Sequence, residues 1–149
     1  MVKRIIYPPV WLVLGLVAIF TLNEMSVGPR FTSLAGQWLG GGIILVGLAL
    51  LVMAGGLFKQ ADTDLVPFKN VTALVTGGIY RYTRNPMYLG MALILLGTAI
   101  TVGAVYTLLV PPLFMAIIEY RFIRPEEDML RELFPEEFPD YCRRVRRWL

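Results

Sequence analysis

The 32 residues from Met87 to Ile118 contain no charged side chain, and this run limits what the chain can become. As one straight helix it would be about 50 Å long, against roughly 30 Å for the hydrocarbon of a bilayer. It therefore has to turn back on itself. Thr101-Val102-Gly103-Ala104 is the natural turn, which predicts two short helices, Pro86–Ile100 and Ala104–Phe122. Pro111-Pro112 falls inside the second and predicts a kink in its middle.

Two more uncharged runs precede this one, Ile5–Asn23 and Phe31–Phe58. Pro8-Pro9 opens the first, where a helix tolerates missing amide donors. "NEMSVGPRF" after it holds no small-residue cleavage site, so it reads as a retained helix. The second run has its predicted helix core at Leu39–Phe58, and its glycines include a Gly-x-x-x-Gly spacing suited to close helix packing. A phosphate-binding glycine loop needs a polar flank, and Trp38-Leu39 does not supply one. Hydrophobic residues make up 56% of the 149, above the roughly 45–50% of soluble domains. The expected fold is an all-α integral membrane protein of about four transmembrane helices, including a short helical hairpin, with a cytosolic amphipathic C-terminal tail. It forms one domain, 1–149: two spans in 1–58, then a polar segment, hairpin and tail in 59–149.

Charge sets the expected orientation. With both termini cytosolic, 13 of the 14 basic residues lie on the cytosolic side and Arg30 alone lies outside. The brevity of the chain suggests a bacterial or archaeal cytoplasmic membrane. "RRVRR" at 143–147 suits anionic headgroups. Beyond Arg121, Phe134, Phe138, Tyr141, Val145 and Trp148 recur at helical spacing as one apolar stripe. Pro125, with Glu126, Glu127 and Asp128 behind it, reads as a helix start.

The chain has no histidine and one cysteine, Cys142. Ser-His-Asp and Cys-His chemistry, zinc sites and an internal disulfide framework are excluded, and no metal ligand set is expected. What remains is carboxylate, arginine, tyrosine and backbone, or a cofactor that brings its own reactivity. "GGIYRYTRNPMYLG" packs Tyr80, Tyr82, Arg84, Asn85 and Tyr88 against the start of the hairpin, and the tail offers Arg121, Arg124, Glu126 and Glu127. Both signs of charge beside aromatic rings suit a zwitterion carrying a ribose and a flat base. The same tyrosines suit an interfacial aromatic belt, and the same acids suit a helix dipole. Glu119 reads either as a buried functional acid or as a group reaching the interface.

The order of the residues resembles the isoprenylcysteine carboxyl methyltransferase and phospholipid methyltransferase family. Its pattern is G-x-Y-x-x-x-R-H-P-x-Y-x-G, a short hairpin, then E-E-x-x-L…F-G-E-E-Y-x-x-Y…V-x-x-W, and the resemblance covers Thr72 to Trp148. It implies an S-adenosyl-L-methionine site closed between the pre-hairpin segment and the tail. Leu74, Val75 and Tyr80 would line the cofactor. Arg84 and the stretch Asn85-Pro86-Met87-Tyr88 would hold its amino-acid or ribose end, and Glu126 would close it. Arg121 or Arg124 would face a lipophilic methyl acceptor. A thiol or hydroxyl acceptor would need a base, and Glu119 and Glu127 are the nearby candidates. Membrane lipids are the other expected partners, and nucleic acid is not one. The chain departs from the pattern at Asn85, where the family has histidine, and at Pro135, where it has glycine. The other readings are an NADPH-dependent membrane reductase, which shares the first half of the motif, and a non-enzymatic bundle.

Overall fold

The computed structural model describes residues 7–25, 28–60 and 73–149. Lys3, Arg4, Lys69 and the first part of the 59–85 segment lie outside them. Among the described residues the regular structure is helical: α1 (Pro8–Glu24), α2 (Leu34–Gln60), a 3-10 turn (Gly78–Arg81), α3 (Pro86–Val102), α4 (Val110–Ile118), α5 (Arg124–Leu133) and α6 (Glu137–Arg144). The one extended pairing is an isolated antiparallel bridge between Arg30 and Ala104.

The hairpin forms, and its turn is narrower than the sequence predicts. Gly103, at φ 73°, ends α3 in the left-handed conformation and donates its N–H to the Ala99 carbonyl. The second arm differs more. Val105–Leu109 is a 3-10 segment, and Pro111-Pro112 sits in the first turn of α4. The expected mid-helix kink is therefore absent. The two rings occupy positions where an amide donor would have had no partner.

Pro125 opens α5 with Glu126 and Glu127 in the first turn, as the sequence predicts, but no gap separates α5 from α4. A π turn, Glu119–Ile123, joins α4 to α5, and the Arg124 N–H reaches back five residues to the Glu119 carbonyl. Pro125 lacks an N–H and its ring crowds the carbonyl four residues back, so one wide turn lets the helix continue. α2 begins earlier than Leu39 because Ser33 Oγ accepts from the Gly36 N–H at 3.0 Å, capping the first turn.

Two helical stretches are long and apolar enough to cross a membrane, Leu34–Leu57 and the continuous Val105–Leu133; Pro8–Glu24 and Pro86–Val102 are apolar but shorter. The outer face of α2 is bare, with Leu34 71%, Trp38 77% and Val52 76% exposed. A contiguous apolar face of this kind is costly in water and is satisfied by lipid.

Glycine brings α2 and α3 together. A Cβ on Gly47 would stand 2.6 Å from the Gly90 carbonyl oxygen, and one on Gly90 2.7 Å from that of Gly47. Gly40 and Gly97 repeat the arrangement at 2.5 Å in both directions. The pairs are one heptad apart, in opposite chain directions, so the helices run antiparallel with their backbones touching. Gly36, which gives the sequence its Gly-x-x-x-Gly spacing, meets only Ser33 of its own turn.

One core lies between α1, α3 and α4, around Ile19, Leu95, Phe114 and Ile118. A second lies against the last turns of α2, where Ala54, Tyr80, Phe138, Tyr141 and Val145 bury one another. Gly47→Ala should destabilise the fold by about 1–3 kcal/mol, because the backbones must separate. Gly41→Ala, where a Cβ meets nothing within 4 Å, should be neutral or gain up to about 1 kcal/mol from helix propensity. Equal melting temperatures in detergent for the two variants would disprove the contact.

Candidate functional site

The polar residues converge where α3 begins. Asn85 precedes the helix, and Pro86, fully buried, opens it. The three residues before Pro86 all grip the segment that follows α6. The backbone N–H of Arg84 donates to the Arg146 carbonyl at 2.9 Å, and Asn85 Nδ2 donates to the Arg147 carbonyl at 2.9 Å. Thr83 Oγ1 donates to the same carbonyl at 3.4 Å, and Arg84 Nη1 to the Val145 carbonyl at 2.8 Å. The tail thus returns across the head of the hairpin. These are donors meeting carbonyls that no helix satisfies, since α6 ends at Arg144 and Val145 is extended.

Glu127 is the centre of the charge arrangement. It is 4% exposed and accepts from Arg84 Nη2 at 2.8 Å and from Arg147 Nε and Nη2 at 3.0 and 2.8 Å. Arg147 continues to Glu119 at 2.8 Å, Arg124 meets the same oxygen at 3.0 Å, and Trp148 Nε1 donates to the other at 3.1 Å. Hydrogen bonding to Glu127 is the main force raising the Arg147 guanidinium above its ordinary value, so it stays charged. The arrangement is one alternating chain: Arg84, Glu127, Arg147, Glu119, Arg124.

Beside it, the Tyr88 hydroxyl donates to Glu126 Oε1 at 2.7 Å, and Glu126 is partly exposed. Below lies the apolar wall, where Leu74, Val75 and Met87 pack against Tyr80, Phe138 and Tyr141. Burial pushes the Tyr80 and Tyr141 hydroxyls upward, so both stay neutral, and Tyr141 donates to the Tyr80 carbonyl at 2.6 Å.

The structure thus brings together Leu74, Val75, Tyr80, Arg84, Asn85, Pro86, Met87, Tyr88, Glu126 and Glu127. It does not bring Arg121 to them. Arg121 is exposed and lies over the Trp11 ring of α1, 5.9 Å from its centroid. Arg124, also exposed, is held by Glu119 and stacks on Tyr120 at 4.3 Å. Sequence reasoning missed Arg147, grouped with three neighbouring arginines, and Thr83. The signal for Arg147 was its place between Val145 and Trp148, two residues of the apolar stripe. Trp148 leaves that stripe: the helix has ended, and the indole packs with the first core instead.

Helical structure throughout the described residues, two long apolar helices with bare outer faces, and a cluster of charged and aromatic side chains at the mouth of a hairpin define a membrane-associated protein with a polar site. The chain belongs to the phospholipid methyltransferase family, whose model matches residues 35–137, more than two thirds of it. That membership makes it a methyltransferase. No curated protein and no solved structure matches it. The matched region ends at the first residue of α6, so the C-terminal segment that crosses the head of the hairpin lies outside it.

Glu127→Ala leaves the buried Arg84 without a counter-charge and Arg147 with Glu119 alone, and should cost about 3–5 kcal/mol. Arg131→Ala removes only a half-exposed partner 3.8 Å from Glu127, and should cost no more than about 1 kcal/mol. Urea or thermal melts in detergent measure both. A Glu127 variant as stable as wild type would refute the central role of that carboxylate.

Proposed function

We propose that the protein moves a methyl group from S-adenosyl-L-methionine to a lipophilic acceptor, a prenylcysteine-like carboxylate or a lipid, at the cytosolic face of the membrane. The observation that carries this reading is the meeting of two segments distant in sequence: the pre-hairpin residues and the tail close over each other, with Tyr88 and Glu126 at their edge.

The donor set fits the cofactor's polar end. Glu126 has one oxygen fixed by Tyr88, and the other carries no protein hydrogen bond among the described residues, so it can accept from a ribose hydroxyl or an ammonium. Leu74, Val75, Met87 and Tyr80 form an apolar wall for the base. Arg84 contributes differently from the sequence expectation. Its Nη donors are committed to Glu127 and to tail carbonyls, so it holds the tail rather than gripping a carboxylate.

The sulfonium of this cofactor supplies a methyl group that is already activated. The chain's own task is alignment and exclusion of water. Asn85, Arg84 and Thr83 hold the tail in place as a cover. Glu127, whose two oxygens accept from two arginines, anchors that cover and is poorly suited to remove a proton. A carboxylate acceptor would need no base. Arg121, outside the ion-pair chain, remains available on the α1 side to an acceptor arriving from lipid.

S-adenosylhomocysteine should bind the detergent-solubilised protein by calorimetry, and NADPH should not. Glu126→Ala should weaken that binding by at least about tenfold, the expected loss of a charge-assisted hydrogen bond. Tyr88→Ala should also weaken it, and both variants should keep the wild-type melting temperature to within a few degrees. Unchanged affinity in both would remove the site assignment, and binding of NADPH instead would favour the reductase.

A further inference from the structure

Hydrophobic height differs between the two sides of the bundle. α3 stands in the middle, packed against α2 on one side and against α1 and α4 on the other. On the α2 side the apolar stretch runs from Leu34 to Leu57 with an exposed outer face, 24 residues and so about 36 Å of helix. On the far side polar groups close in sooner. α1 has 17 residues, about 25 Å, and already ends in a charged side chain, Glu24. On α4 the outward band lies between Tyr106 and Tyr120, both exposed, with Leu109 and Leu113 bare between them. The 3-10 segment and the helix after it put about 22 Å between the two tyrosines. The two ends agree. At one, Arg30 bonds to Asn23 of α1, and Gly28 lies against the Tyr106 ring. At the other, Arg121 lies over Trp11 of α1 and Arg124 over Tyr120. Tyrosine and arginine side chains mark where the apolar interior of a membrane stops.

We propose that the α1 and α4 side of the protein sits in a locally thinned bilayer and is wetted by phospholipids with short acyl chains, of about fourteen carbons, while the α2 side meets longer ones. Neither band matches the roughly 30 Å of an average hydrocarbon core: one falls short of it and the other exceeds it. Tilting does not remove the difference. The contacts of Gly47 with Gly90 and of Gly40 with Gly97 hold α2 and α3 side by side, so a tilt that fits α2 into the bilayer lowers α1 and α4 with it. The lipid makes up the difference, because drawing arginine into hydrocarbon costs more than compressing acyl chains. Thinning on this side keeps water within reach of Glu119, the more exposed of the two acids in the ion-pair chain. The inference rests on the apolar faces alone and stands or falls apart from the cofactor reading.

The native tryptophans report the two sides. Trp38 is exposed on α2, and Trp11 and Trp148 pack with the first core beside α1 and α4. The protein is reconstituted in a dibrominated phosphatidylcholine, which quenches the indoles it touches, mixed with a monounsaturated phosphatidylcholine of fourteen-carbon or twenty-two-carbon chains. Trp38→Phe, a change at a lipid-exposed position, leaves the other two indoles, and its difference from the wild type isolates Trp38. Leu113→Trp in the same background puts a reporter on the bare face of α4, which keeps the test decisive where the native indoles lie too deep to be quenched. On the α4 side the fourteen-carbon lipid should displace the brominated one at least about twofold better than the twenty-two-carbon lipid, and Trp38 should show the opposite order. The same order on both sides would overturn the thinning, and so would indifference to chain length at Leu113→Trp.

Discussion

One buried carboxylate carries the arrangement of the polar end. Glu127 accepts from arginines at positions 84 and 147, which the chain separates by the whole hairpin and the tail. A buried acid of this kind is tolerable only because its hydrogen-bonding capacity is used: two guanidinium groups cover its two oxygens, and Glu119 shares the charge of one. The pair is therefore better read as a specifier of tail position than as a source of net stability. Without it, Glu119 alone would hold the charge of Arg147, and Arg84 would lose its tie to the segment 145–148. With it, the carbonyls of Val145, Arg146 and Arg147 fall beside the donors of Thr83, Arg84 and Asn85.

The position of Glu127 depends in turn on the π turn. A regular helix from Val110 onward would meet the Pro125 ring with the Arg121 carbonyl. Widening one turn avoids that clash and shifts the register of everything after Ile123. Glu119 and Glu127 then both face the tail, while Arg121 faces α1. The two sides of one helix end are thereby divided between the ion-pair chain on the tail side and the seam with α1. That separation is what an enzyme with one polar and one lipophilic substrate would need.

Much of the fold was legible because the apolar runs are long and free of charge. The hairpin followed from length alone, and Gly103 marked its turn. The kink did not survive, since the position of Pro-Pro within a run does not reveal where the α-helix begins; a 3-10 segment before it moved the start to Val110. The glycine packing was expected, but through the wrong spacing. Which glycines touch depends on the partner helix, and Gly90 and Gly97 select Gly47 and Gly40. At the site, the motif gave the right neighbourhood, because Tyr88, Glu126, Arg84 and Glu127 do meet. It could not say that Arg84 turns inward to the tail, because that depends on Arg147, which looks like its solvated neighbours until the helix ends at Arg144.

Asn85 shows what the departure from the family pattern does physically. Its amide nitrogen donates to the Arg147 carbonyl, while its backbone N–H is met by Thr83 Oγ1 at 3.2 Å. A histidine at this position could also donate to that carbonyl, but its charge would change across the neutral pH range. It would then sit near Arg84 and Arg147, and protonation would place a third cation among them. An asparagine carries no charge at any pH, so the tie between hairpin and tail depends only on geometry and on Glu127 remaining ionised. With two arginines on that carboxylate, the neutral range leaves it ionised. The closed cover is thus held by groups that do not titrate near neutrality, which leaves the polar edge at Tyr88 and Glu126 as the part of the site free to respond to a ligand.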